Sequence, residues 1–264
     1  MSSTGNAPST TPIVVQRHGS VALVRFARPE KRNALTTELL SALAGALEEL
    51  DRDPEVRAAA ITGGPKIFAS GADVRELRDV DPVAYATSDR VTCWRRLNDV
   101  ELPLVAAVAG IALGGGCELA LLCDLVVAGD DAVFGQPEVA LGLLPAAGGT
   151  QRWARAAGRY LAAEVVLAGR KLDAIEARDA GLVAAVVPSE RVEEAGLALA
   201  AKIAAGAPLA LRASRAAVRS AEELPLSAAL EAERARLLML LSSADHREGI
   251  DALLERRPAR FEGR

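Results

Sequence analysis

Aromatic residues are scarce: Phe, Tyr and Trp make up 3% of a 264-residue chain in which half the residues are hydrophobic. A core has to be filled mainly by Ala, Leu and Val, with helices packed closely through Ala, which favours a mixed α/β protein. Histidine is scarcer still. With only His18 and His246, both reading as ordinary surface residues, a catalytic dyad or metal cluster has to be built from other groups. The three cysteines, Cys93, Cys117 and Cys123, are odd in number and sit in apolar or helical surroundings. They do not suit a disulfide framework and fit a reducing, cytoplasmic setting. Cys117 and Cys123 also lack Cys or His partners at zinc-binding spacing, so no metal site is expected. No apolar run approaches the ~20 residues of a membrane span. Residues 1–12 contain no basic residue and no long apolar stretch, so they read as a disordered tail and not as a secretory or transit peptide.

Basic blocks are missing as well. The 31 basic and 35 acidic residues are interspersed along the chain and leave a net charge of −4, against a nucleic-acid footprint. They leave room for a local patch that meets a phosphorylated ligand. Familiar chemical motifs fail in turn. No Gly-x-Ser-x-Gly occurs, and Ser70 has no evident base, so a Ser-His-Asp triad has no signature. Residues 110–116 do not match Gly-x-Gly-x-x-Gly, and Gly148-Gly149-Thr150 lacks the Lys of a phosphate-binding loop.

At this length the chain forms one large domain, or one domain with a helical extension, with no internal repeat. Residues 13–16 and 21–26 are β-rich runs around a polar stretch containing Gly19, which predicts an opening hairpin. Leu39, Leu40, Leu43, Leu47 and Leu50 recur at helical spacing over 35–50, with Thr36 or Thr37 as N-cap. Buried strands are expected over 58–62, 104–108, 125–127 and 182–187, and their alternation with helices is an α/β signature. From residue 189 the pattern is helical only, over 192–204, 208–220, 227–241 and 246–256. These apolar stripes call for docking on the core or on another subunit. The predicted organisation is a core over 13–188 and a helical, oligomer-forming region over 189–264.

Three Gly-rich segments remain, at 68–73, 110–118 and 134–150, each after a strand or apolar stretch. Glycine lets backbone N–H groups turn toward a ligand, and a helix starting at such a loop presents free donors and a positive dipole end. That arrangement can hold an oxyanion. Glu118 and Glu138 lie in the second and third segments and can serve as acid and base.

Together, Phe-Ala-Ser-Gly-Ala-Asp-Val (68–74), Ala-Leu-Gly-Gly-Gly-Cys-Glu-Leu-Ala (112–120) and Phe-Gly-Gln-Pro-Glu-Val-Ala-Leu-Gly-Leu-Leu-Pro-Ala-Ala-Gly-Gly-Thr-Gln-Arg (134–152) resemble the signature blocks of the crotonase family in order and spacing. Arg28-Pro29 through Asn33-Ala34-Leu35, Ala180-Gly181-Leu182-Val183 and Arg247-Glu248-Gly249 extend the resemblance over about 13–262. It is nearest to short-chain enoyl-CoA hydratases of fatty-acid β-oxidation. The resemblance implies a ClpP-like spiral of β-β-α units with a C-terminal helical region, packed as a homotrimer or hexamer. It implies a lyase that adds water to a 2-enoyl-CoA, with no cofactor beyond the coenzyme A of the substrate. It further implies an oxyanion hole from the backbone N–H groups of Ala72 and Gly115, water activation by Glu118 and protonation of C2 by Glu138. Coenzyme A contacts are implied at Ala72, Asp73, Val74 and Arg75, with Lys31, Arg32 or Arg256 as further phosphate partners. One departure is Ala146, where the family commonly has Gly; its methyl narrows the acyl pocket or alters the loop. Cys117 reads as packing. A Δ3,Δ2-enoyl-CoA isomerase needs only the carboxylate at Glu138, so keeping both glutamates favours the hydratase. A non-enzymatic RNA-binding role on the same fold would ask for a basic surface, and a ClpP-like protease for a Ser-His pair.

Overall fold

A computed structural model describes residues 11–264, so most of the expected tail lies outside the described residues. The chain opens with the expected hairpin, β1 (Ile13–His18) and β2 (Val21–Phe26), turning at Gly19 and Ser20. The first strand runs two residues further than its hydrophobicity suggests, because Arg17 and His18 pair with Ala22 and Val21 on an exposed edge. Helix α1 (Thr37–Arg52) follows; the Thr36 hydroxyl accepts from Leu39 N at 3.2 Å, and the predicted leucine stripe is buried.

Three β-β-α turns then succeed one another. The first holds β3 (Ala58–Thr62), β4 (Ile67–Ala69), α2 (Pro82–Ala86) and α3 (Asp89–Asp99); the second β5 (Leu104–Val108), β6 (Ile111–Leu113) and α4 (Gly115–Leu122). The third holds β7 (Leu125–Gly129), β8 (Val133–Gly135), α5 (Gly149–Ala157) and α6 (Arg159–Leu167). After them come β9 (Leu172–Asp173), α7 (Ala174–Asp179) and β10 (Ala185–Val187), then α8 (Val192–Ala204), α9 (Pro208–Glu223), α10 (Leu226–Leu240) and α11 (Ala244–Glu255). Each turn of the spiral adds one strand to each of two sheets. The larger has the order β1-β2-β3-β5-β7-β10, parallel after the first pair; the smaller is β4-β6-β8-β9. This is the spiral of β-β-α units that the resemblance implies. The strand expected over 182–187 forms only from Ala185, since Leu182 and Val183 are spent as buried turn residues.

Both faces of the larger sheet are covered, which explains why its strands read as continuous apolar runs. Ala22, Val24, Ala59, Ile61, Ala106 and Val108 join the main core. Their alternating neighbours, among them Leu23, Ala60, Val105 and Ala107, pack under Val192, Ala200 and Ala204 of α8. Asn33 locks the first loop to this scaffold. Its buried Nδ2 donates to the carbonyls of Gly63 and Ile67, each at 3.0 Å, and of Phe68 at 3.1 Å. Leu35 N, two residues on, donates to Gly71 O at 2.8 Å and so sets the backbone at Ala72.

Candidate active site

The ends of β4 and β6, the start of α4 and the loop after β8 meet at a cleft of about 810 Å3. Its walls include Ala72, Trp94, Gly115, Glu118, Glu138 and Ala146. Chain direction accounts for the meeting: β4, β6 and β8 are parallel neighbours, so the three Gly-rich segments leave the same edge of one sheet.

Gly114 caps α4 with φ 51°, a conformation costly for any side chain, and a methyl there would also come within 2.9 Å of Glu138 Oε1. That close approach lets the Glu138 carboxyl lie against the start of the helix. A methyl placed on Gly115 would sit 3.6 Å from Ala72 N, and one on Gly71 would sit 3.6 Å from Gly115 N. The N–H groups of Ala72 and Gly115 are therefore neighbours, and neither has an acceptor among the described residues. Gly115 N belongs to the first turn of α4, where the helix dipole adds positive potential.

Glu118, on the first turn of α4, is 4% exposed. Its Oε1 accepts from Ala147 N at 2.7 Å and from Gly149 N at 2.8 Å. Burial raises its pKa; these two hydrogen bonds and the positive charges of Arg152 and Arg90 act the other way. Glu138 is half-buried at the turn after β8, and burial, with the nearby charge of Glu118, pushes its pKa to about 7. The buried Gln136 amide, with its nitrogen turned to that carboxyl, donates to Glu138 Oε1 at 3.1 Å and Oε2 at 3.2 Å. Both carboxyls thus face one cleft with raised pKa values, but two hydrogen bonds and two positive charges oppose the rise at Glu118, whereas Glu138 is partly protonated near neutrality.

Val74 also lines the cleft, whereas Asp73 and Arg75 are engaged with each other beside it. Arg75 Nη2 lies 2.6 Å from Asp73 Oδ2, and this pairing holds the Asp73 carboxyl at about 2. Lys31 adds positive charge near Asp73. Arg256 caps the end of α11 and, like Arg32, is not among the residues lining the cleft. Cys117 is fully buried, which pushes its thiol to about 12, so its position is one of packing. Among the described residues no His, Cys, Asp or Glu cluster of metal-binding geometry occurs. Gln136, Arg90 and Arg152 are not singled out by the sequence: Gln136 and Arg152 lie within the 134–152 block and Arg90 outside it, and linear position does not show which carboxyl each faces.

Residues 16–264 match the enoyl-CoA hydratase/isomerase family. The chain is 45% identical to the 2,3-dehydroadipyl-CoA hydratase of Escherichia coli K12, covering 96% of this chain and 99% of that one. It is 41% identical to a probable enoyl-CoA hydratase of Mycobacterium tuberculosis, over 94% of this chain and 97% of the relative. Among solved structures it is similar to an enoyl-CoA hydratase subunit I from Geobacillus kaustophilus, with a TM-score of 0.92, 41% identity and coverage of 96% and 98%.

Proposed function

Because the chain belongs to the enoyl-CoA hydratase/isomerase family and is an enoyl-CoA hydratase, we propose that Glu118 and Glu138 divide its proton transfers while Ala72 and Gly115 hold the thioester oxygen. The enzyme adds water across the C2–C3 double bond of a 2-enoyl-CoA to give a 3-hydroxyacyl-CoA. In this reading Glu118 orients the water through the oxygen not engaged by Ala147 and Gly149 and takes its proton as the water oxygen bonds C3. The electron pair of the double bond moves toward the thioester, where negative charge on the carbonyl oxygen meets the two backbone N–H groups. Glu138 delivers a proton to C2, and proton return from Glu118 to Glu138 by way of solvent restores the site. The reaction is redox-neutral and calls for no oxidant or reductant; in this reading the only cofactor group involved is the coenzyme A of the substrate. Trp94, Leu122, Leu143, Leu144 and Ala146 line the cleft, and in this reading they face the acyl chain. Asp73, Val74 and Arg75 flank the coenzyme A side.

The observation that carries this division of labour is geometric: burial raises both carboxyls, but only the Glu118 anion is gripped by two N–H donors and faced by two arginines, while Glu138 is raised to about 7. Glu118→Gln and Glu138→Gln are each expected to lower crotonyl-CoA hydration by at least ~100-fold, the scale of a positioned acid or base, with binding retained. Loss of enoyl absorbance measures it; near-wild-type turnover in either folded variant would end the two-glutamate mechanism. The reading also includes a cytoplasmic location, supported by three free and buried cysteines. It further includes assembly as a homotrimer or hexamer through the helices that follow α8.

A further inference from the structure

Arg152 stands on the first turn of α5, and its guanidinium reaches into the wall of the same cleft. Nη1 donates to Ala147 O at 2.8 Å and Nη2 to Asn98 Oδ1 of α3 at 3.0 Å. The peptide groups around Ala147 are therefore held from two sides: the residue's N–H points to Glu118 Oε1 and its carbonyl to Arg152. Gly148 makes room for this, because at φ 108° a methyl there would overlap Arg152 Nη1. No carboxylate is ion-paired with Arg152 among the described residues, so its partly buried guanidinium recovers lost hydration from the Ala147 carbonyl and the Asn98 amide oxygen.

We propose that Arg152 is a positioning residue for hydration: its fork fixes the 147–149 loop on Glu118 Oε1, and its charge faces that carboxylate across the loop. The inference rests on Glu118 being the base. Other groups share the field. Glu118 also faces Arg90 from α3 and Glu138 from the turn after β8, with the Cys117 thiol beside it in α4. Arg152 faces Glu222 and Arg219 of α9 and the Cys123 thiol. Arg90 is already committed to Leu35 O at 2.9 Å and to Glu76 at 3.5 Å, so it does not replace Arg152 at the loop. Loss of the guanidinium removes a favourable charge from ionised Glu118 and leaves Ala147 O without its donor, so the carboxyl becomes harder to ionise and less well aimed.

The test is the pH profile of crotonyl-CoA hydration from pH 5 to 9 for the wild type, Arg152→Gln, Arg152→Lys, Asn98→Ala and Glu118→Gln. The acid limb of kcat/KM reports the pKa of the base in the free enzyme. Arg152→Gln is expected to move that limb upward by about one unit, as for loss of a nearby opposite charge. Its kcat is expected to fall roughly 10-fold or more through misalignment, with KM changed much less. Arg152→Lys keeps a cation but cannot span both acceptors, so its limb stays near the wild-type position while kcat falls. Asn98→Ala removes one anchor of the fork and is expected to lower kcat several-fold without moving the limb. An unmoved limb in Arg152→Gln overturns the proposal. If that variant does not fold, wild-type kcat in both Arg152→Lys and Asn98→Ala overturns it instead. Glu118→Gln separates the two levels: if it stays active, the assignment of the base is wrong, whereas if it is inactive and Arg152→Gln titrates like the wild type, only the role of Arg152 is lost.

Discussion

Glu118 and Glu138 are chemically the same side chain in one cleft, and their difference comes from the groups around them. Burial makes both harder to ionise than a free carboxyl, but at Glu118 two backbone N–H groups at 2.7 and 2.8 Å stabilise the anion and oppose that rise. Glu138, raised to about 7 by burial and by the charge of Glu118, is on balance harder to ionise than a free carboxyl. That difference has a consequence for stability. A carboxyl whose folded-state pKa lies above its ordinary 4.5 binds more protons folded than unfolded, so the stability it contributes is full below about 4.5 and is lost as pH rises through about 7. Glu138→Gln cannot ionise and escapes that loss. The melting temperature of Glu138→Gln relative to wild type is therefore expected to climb between pH 5 and pH 8, measured by thermal unfolding in matched buffers. A difference that stays flat across that range would mean the carboxyl is well solvated. Both glutamates were legible in the sequence because each sits in a Gly-rich block beside the chain turns that aim it. Their partners were not: Arg152 follows Glu118 by 34 positions and Arg90 precedes it by 28, and nothing in linear spacing reports that α5 and α3 bring both to one carboxyl. The Arg75–Asp73 pair shows the converse case, a contact two residues apart that the motif alone presented only as a ligand site.

Among the elements, the larger sheet and the helices that cover it were readable because their apolar runs are five residues or longer, as in β3, β5 and β7. The smaller sheet was not. β4, β6 and β8 have three residues each and β9 has two, too few to show a period of two, and each adjoins or lies within a Gly-rich or loop segment. Those short strands nevertheless set the site, because their parallel pairing brings the three Gly-rich segments to one edge. Helix α8 shows how a small residue can decide packing. A methyl on Gly196 would stand 2.8 Å from Ala107 Cβ of β5, closer than two carbons tolerate, and neither the strand nor a methyl can swing away. Gly196→Ala gains up to ~1 kcal/mol of helix propensity but is expected to destabilise on balance by about 1–2 kcal/mol through overpacking. Urea unfolding of Gly196→Ala, Ala107→Gly and the double variant tests this. The contact predicts a favourable coupling of at least ~1 kcal/mol in the double variant, and strict additivity would place the strain elsewhere.

At the scale of the whole molecule, the helices after α8 are fastened to the core by charge more than by burial. Arg215 Nε lies 2.7 Å from Asp124 Oδ2 while its Nη1 donates to Val100 O at 2.6 Å, and Arg219 reaches Asn98 O at 3.0 Å and Leu122 O at 2.9 Å. These bonds seat α9 under the C-terminal ends of α3 and α4, next to the cleft. Helix α10, like α9, buries no residue. Leu226, Leu238 and Met239 of α10 are 76%, 62% and 75% exposed, and Leu253 and Leu254 of α11 are 74% and 76% exposed. A lone chain leaving this much apolar surface in water would forgo roughly 1.5–3 kcal/mol for each large side chain that burial could cover. In the proposed trimer or hexamer, a second and third copy of the same chain would supply such cover. Leu238→Glu combined with Leu254→Glu puts two charges on this surface without touching the cleft walls. Sedimentation equilibrium is then expected to show the wild type at a multiple of the chain mass and the double variant as a single chain, because burying an unpaired carboxylate in an interface costs several kcal/mol. A wild type that sediments as one chain, or a double variant that keeps the wild-type mass, would remove these helices from any account of assembly. It would leave the α9 arginines, which hold α3 and α4 from within one chain, as the main service this region renders to the cleft.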